Sequence, residues 1–220
     1  TAQLFASGGQ TINAGFVEVT AQGSSATISN NSSGTQSITT NGINASGEGL
    51  ALHNLGSFGA FATIGQNVAG GQQAISVNNA ERVSIDGVGG TALINNSSGV
   101  QSLTISGTRA NALHLGSADA LGASRIIGRG TQTITAGLAG ELGSITILGK
   151  ASGSGDNSNI SDPASSGTQT VSTPGTLEVI GGTASLPSQP GVFANGSGAQ
   201  QTINAGTIPI ARLPGASALA

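Results

Sequence analysis

One short phrase returns seven times along these 220 residues: Gly or Ala, any residue, Gln, a small residue, then Ile, Leu or Val. It reads GGQTI, GTQSI, GQQAI, GVQSL, GTQTI, GTQTV and AQQTI. Its glutamines are Gln10, Gln36, Gln73, Gln101, Gln132, Gln169 and Gln201, at spacings of 26, 37, 28, 31, 37 and 32 residues. A period of that size running through the whole chain is the size of one turn of a β-solenoid.

The residues within one repeat say how such a turn is built. Along a strand side chains alternate faces, so in the run Gly130–Gly137 the residues Gln132 and Ile134 share one side and Thr131, Thr133 and Thr135 the other. Ile134 belongs inside. Gln132 then sits at the inner edge of a corner, where its amide is satisfied by stacking on the glutamine of the next coil. The seven glutamines are therefore expected to form one structural ladder.

A second strand follows each Gln phrase after a Gly, Asn or Pro corner: Phe16–Val19, Val83–Ile85, Ser144–Ile147, Leu177–Ile180 and Ile208–Ile210. Val17, Val19, Val83, Ile85, Ile145, Ile147, Leu177 and Val179 are expected inside, with Glu18 and Glu178 in solvent. A third strand precedes the next phrase: Ala26–Ile28, Ala62–Ile64, Ala92–Ile94 and Val192–Ala194. Its exit corner is nearly duplicated, Asn30–Gly34 matching Asn95–Gly99, and Asn, Ser and Gly suit such corners because they tolerate left-handed backbone and bond locally.

Three strands and three corners per repeat predict an all-β chain, a parallel β-helix (β-solenoid) of about seven coils. Loops at 47–59 and 152–166 absorb the variation in coil length. At about 4.8 Å per rung the rod is roughly 34 Å tall. We expect a single solenoid domain over 1–220, with a partial N-terminal coil at 1–7 and a C-terminal tail or cap at 211–220.

Composition agrees. Charged residues make up 7% of the chain, aromatic residues 2%, and there are 37 Gly. Such a composition suits a disordered linker, but 36% of the residues are hydrophobic, and the β-branched ones keep phase with the glutamines. The net charge of −3 comes with six thinly spread Lys and Arg, which leaves no basic face for nucleic acid. No window approaches the ~18 apolar residues of a membrane span. Without Cys there are neither disulfides nor thiolate metal sites.

No constellation of catalytic or metal-ligating residues emerges, so the expectation is a non-enzyme without cofactors. His114 alternates with Leu113 and Leu115 and belongs on the outer surface; it and His53 need not stack. Arg82 and Asp86 are the nearest charged grouping, and a solvated pair accounts for them. A binding alternative rests on the outward Thr11, Thr131, Thr133, Thr135, Thr168 and Thr170, an array like that of ice-binding solenoids, interrupted by Gln72, Ala74, Val100 and Ser102.

The runs GTQTVSTPGTLEVIGGTA (167–184) and GTQTITAGLAGELGSITILG (130–149) resemble the β-helical shafts of filamentous-haemagglutinin-like, two-partner-secretion exoproteins of Gram-negative bacteria. The resemblance implies a right-handed β-helix, export to the cell surface or beyond, and work in adhesion or matrix. The family's N-terminal secretion domain is missing here.

The segment Leu4–Gly15 repeats Val192–Gly206, so the chain starts within a third-face strand, Leu4-Phe5-Ala6, and reaches its last second-face strand at Ile208-Pro209-Ile210. Those six residues are the expected assembly interface. The expectation is a secreted filament subunit that stacks head to tail on copies of itself, with a host or neighbouring cell surface as a further partner. The alternative is a shaft segment of a larger adhesin.

Overall fold

A computed structural model describes residues 1–56, 59–117, 122–149, 158–181, 190–194 and 197–212. Among them every regular element is a strand, numbered in chain order. One sheet, the third face, holds seven parallel strands: β1 (Ala2–Ala6), β4 (Ala26–Asn30), β7 (Phe61–Gln66), β10 (Thr91–Asn96), β13 (Ser124–Ile127), β16 (Asn159–Asp162) and β18 (Gly191–Ala194). The Gln face holds β2 (Gln10–Ala14), β5 (Thr35–Thr40), β8 (Gln72–Asn78), β11 (Gly99–Ser106), β14 (Gly130–Ala136), the first half of β17 (Thr168–Gly181) and β19 (Gln200–Thr207). The second face holds β3 (Val17–Ala21), β6 (Glu48–Asn54), β9 (Arg82–Asp86), β12 (Ala112–Leu115), β15 (Ser144–Leu148), the second half of β17 and β20 (Ile210–Arg212). These two faces form one continuous sheet because β17 passes from one to the other without a break, with a register shift between Thr173 and Thr176.

The fold is thus the parallel β-solenoid that the repeat predicts. About five turns are covered on both sides, and an open rung lies at either end, which is slightly fewer enclosed turns than a count of seven glutamines implies. Like stacks on like. Ile12, Ile38, Ile75, Leu103, Ile134, Val171 and Ile203 form one column in register. Val17, Leu50, Val83, Leu113, Ile145 and Leu177 form another. The enclosed members of both columns are fully buried, and each such side chain contributes roughly 1.5–3 kcal/mol.

Several boundaries differ from the sequence reading. The expected loop 47–59 contains strand β6, which supplies the second face of its coil, and the expected loop 152–166 contains β16. Strands β12 and β13 complete the fourth coil's second face and the fifth coil's third face. The last second-face strand begins at Ile210 rather than Ile208, because Pro209 has no N–H to give; its carbonyl still accepts from Val179 N–H at 3.1 Å. Val179 is half-buried, since only the open last rung covers it. In the near-duplicate corner Asn30 stacks through Gln66 on Asn96 and not on Asn95, so the second copy enters its corner one residue later and makes it one residue shorter. Asn30, Gln66 and Asn96 are fully buried there and bond backbone carbonyls of the turn, such as Gly34 O and Val100 O. Of the expected tail, Ala211 and Arg212 fall in β20, and the remainder lies outside the described residues.

Candidate functional site: the amide ladder, the end rungs and a polar pocket

Each glutamine lies two residues before a core aliphatic, so the pleat carries it to the inner side of the Gln face. Gln10, Gln36, Gln73, Gln101, Gln132 and Gln169 are buried. Burying an amide is costly unless every donor and acceptor is used. Here Gln36 Nε2 donates to Gln10 Oε1 at 2.7 Å, Gln73 to Gln36 at 2.8 Å, and Gln101 to Gln73 at 2.8 Å. Gln132 donates to Gln101 at 2.7 Å, Gln169 to Gln132 at 2.7 Å, and Gln201 to Gln169 at 2.6 Å. The second amide hydrogen goes forward to the third face of the following coil: Gln73 to Asn95 O, Gln101 to Ile127 O, Gln132 to Ser161 O and Gln169 to Phe193 O, at 3.1–3.3 Å. One side chain therefore ties three successive coils.

The ladder has a direction. In every link the later glutamine donates and the earlier one accepts, so the first rung presents Gln10 Nε2 and the last presents Gln201 Oε1 outward along the axis. The end rungs also carry apolar surface. Leu4 lies in the inward column with Ile28 yet is 54% exposed, and Ile210, in register with Val179, is 81% exposed. Phe5 and Ile208 are exposed beside them, at 64% and 50%, as is Pro209, while Ala6 is half-buried.

The outer surface of the Gln face carries no charged residue on any of its strands. Thr11, Ser37, Ala74, Ser102, Thr133, Thr170 and Thr202 form one outward column, so hydroxyls dominate although Thr does not recur in every coil.

Charge gathers instead on the second face, where the sequence reading saw only scattered residues. Both histidines line one half-open pocket with Glu48, Arg82, Ser84, Asp86 and Gly116. The Arg82–Asp86 pair of that reading is part of this larger grouping, and the two histidines, as expected, do not stack: His53 is in register with Asp86 and His114 with Ser84. Its origin is a β-bulge. Glu48 pairs with Arg82 and Leu50 with Val83, so Gly49 is the extra residue. Strict alternation would send Glu48 inward with Leu50 and Leu52; the bulge turns it outward with Arg82. Gly49 is required there, because a Cβ would lie 2.5 Å from Val77 Cγ1 and 2.9 Å from Ala80 Cβ.

Glu48 is 5% exposed. Its Oε2 accepts from Asn44 Nδ2 at 3.0 Å and lies 3.5 Å from His53 Nε2, and its Oε1 lies 3.4 Å from Arg82 Nε. Burial works to raise the pKa of this carboxyl, but the hydrogen bonds from Ser84 and Asn44, with the charges of His53 and Arg82, outweigh it and hold the group below its ordinary value. His114 is open on its outer side. The wall behind it still strips water from the ring, and that desolvation, with the Arg82 charge, lowers its pKa.

Both shifts act in one direction on stability. A carboxyl with a lowered folded pKa stabilises above its unfolded value, and that contribution is lost as pH falls through the folded one. An imidazole with a lowered pKa likewise costs stability once pH drops below about 6.5. We expect the melting temperature to fall as pH is lowered from 7 toward 3. In Glu48→Gln the lower part of that fall should shrink, and in His114→Gln the upper part. Unchanged slopes in both variants, measured by circular dichroism, would remove the pocket from the pH response.

Among the described residues no group of three or more His, Asp or Glu is placed to hold a metal ion. No described helix is long and apolar enough to cross a membrane. Neither protein-family models, curated proteins nor solved structures yield a match to this chain.

Proposed function

We propose that this chain is a structural subunit of a secreted bacterial β-solenoid filament that extends by head-to-tail stacking of coil ends. The observation that carries the reading is the directed amide ladder, which offers a donor at the first rung and an acceptor at the last, ringed by Leu4, Phe5, Ile208 and Ile210. Stacking in the same sense continues the ladder and covers that apolar surface. Stacking head to head sets donor against donor. A contact between two different surfaces of one subunit grows a filament instead of closing a pair. Low charge removes repulsion along the axis and between neighbouring rods. Export and a surface, matrix or adhesive setting come to this reading from the resemblance to filamentous-haemagglutinin-like exoproteins.

Cryo-electron microscopy of the purified chain tests it. The expected result is filaments with an axial repeat of roughly 34 Å, the height of seven rungs. Ile210→Lys places a charge on a side chain that is already 81% exposed, so it should leave the melting temperature unchanged and abolish the filaments. Dispersed short rods of the unaltered chain would overturn self-assembly and favour a shaft segment within a longer adhesin.

A further inference from the structure

The pocket on the second face has no part in stacking, because its groups point sideways from three enclosed coils. Register fixes their places. Glu48, Ala51 and His53 belong to one rung, Arg82, Ser84 and Asp86 to the next, and Ala112, His114 and Gly116 to the third. Ser84 stands at the centre of this grid. Ala51 belongs to the outward column beside it yet is 1% exposed, covered by the groups around it. Gly116 leaves the opposite corner open and cannot be filled: its φ is +86°, and a Cβ there would collide with Leu148 O and Ser158 Oγ. The result is a built recess of about 210 Å³.

Its chemistry is more specific than its charge. The Arg82 guanidinium is offset by the Glu48 carboxylate 3.4 Å from its Nε, so neither a free anion nor a free cation meets an uncompensated partner in that pair. What else faces the recess is the Ser84 hydroxyl, which donates to Glu48 and keeps its lone pairs for a ligand, and two imidazoles, with the Asp86 carboxylate at one side, a set that together accepts and donates. Groups of that kind match ligand hydroxyls, which also donate and accept. The volume lies below the ~300 Å³ at which pockets for drug-sized ligands begin, and suits one sugar ring.

We infer that this recess is a binding site for a single neutral saccharide residue, held by Ser84, His53, His114, Arg82 and Asp86. The lack of Trp and Tyr means that no aromatic platform adds stacking, so binding is by hydrogen bonds alone and falls in the millimolar range. The site stands or falls independently of filament growth, since the coils that form it are enclosed in a single copy.

The chain supplies its own reporters, because its only two histidines both line the recess. Imidazole NMR signals of the full chain are followed while methyl β-D-glucopyranoside is added at neutral pH. Both sets should shift along saturable curves that give one dissociation constant. Ser84→Val, which removes the central hydroxyl in a side chain suited to strands, should weaken that constant at least tenfold. His114→Ala changes an exposed residue, keeps His53 as reporter and should weaken it as well, which guards against misfolding of the Ser84 variant. Signals that stay still or drift linearly without saturation would overturn the inference. So would saturable shifts that survive in both variants, or tighter binding of D-glucuronate than of the neutral glycoside, since that ranks charge above hydroxyl matching.

Discussion

Replacing Ile134 by Asp should split the solenoid in its middle. Ile134 is fully buried, with Leu103 beneath it and Val171 above it in the same column. Substitution forfeits roughly 1.5–3 kcal/mol of side-chain burial and adds the cost of a buried, unpartnered carboxylate, several kcal/mol more. In a solenoid each coil contacts only its neighbours, so the damage cannot be shared with distant coils. The coils before and after Gly130–Ala136 lose their common rung. Thermal unfolding, expected as a single cooperative step in the parent, should become two steps or disappear, and limited proteolysis should cut within that strand. The conservative Ile134→Val should cost only about 0.5–1.5 kcal/mol. An unchanged melting temperature for Ile134→Asp would mean that the column is not the core.

The second large effect lies in the ladder. Gln132→Glu keeps size and shape but sets a carboxylate oxygen against Gln101 Oε1 and Ser161 O, both of which now accept from Gln132 Nε2. The link from Gln169 Nε2 survives, since a carboxylate accepts as an amide oxygen does. An unpaired charge in so buried a place should cost about 3–5 kcal/mol at pH 7. Protonation restores a donor. The folded-state pKa of this Glu is therefore raised above its unfolded value, and the loss relative to the parent should shrink below pH 4.3 and grow as pH rises through the raised pKa. Gln132→Leu, which removes donor and acceptor together, should be destabilising at every pH with no such slope. Denaturant titrations at pH 4 and pH 7 separate the cases. A pH-independent deficit in Gln132→Glu would show that the amide's polarity is unimportant.

These effects rest on what was readable from the sequence. The Gln phrase fixes its own register, because Gln and an aliphatic two residues on recur together in every coil, and the Gln face follows from it directly. The other two faces were legible only where aliphatics alternate without interruption, as in Val83–Ile85 or Ser144–Ile147. Strand β6 escaped because glycines flank Leu50 and Leu52 and give the segment a loop's composition; the bulge at Gly49 breaks the alternation that marks a strand. Strand β13 carries Arg125 on its outer side, and β16 is short and follows a Gly- and Ser-rich run.

The pocket was hidden for a related reason. Ala51-Leu52-His53 and Ala112-Leu113-His114 look like copies of one motif, yet Leu50, not Leu52, stands in the column of Leu113. The two histidines consequently fall on adjacent outward columns, on either side of the rung that carries Ser84 and Asp86. Corner lengths set that offset, and they vary from coil to coil in a way no local pattern announces.

The ladder also bears on how a chain of this kind changes over generations. A glutamine held by like neighbours above and below is hard to exchange alone, because each substitution strands partners in two other coils. A whole coil, by contrast, brings its own glutamine, its own aliphatic column and its own corners. Duplication or loss of roughly thirty residues in phase leaves every amide with a partner, so inheritance by the coil is easier than inheritance by the residue. Within this one chain the corners differ in nearly every turn around a phrase that barely changes, the pattern that such coil-wise change leaves.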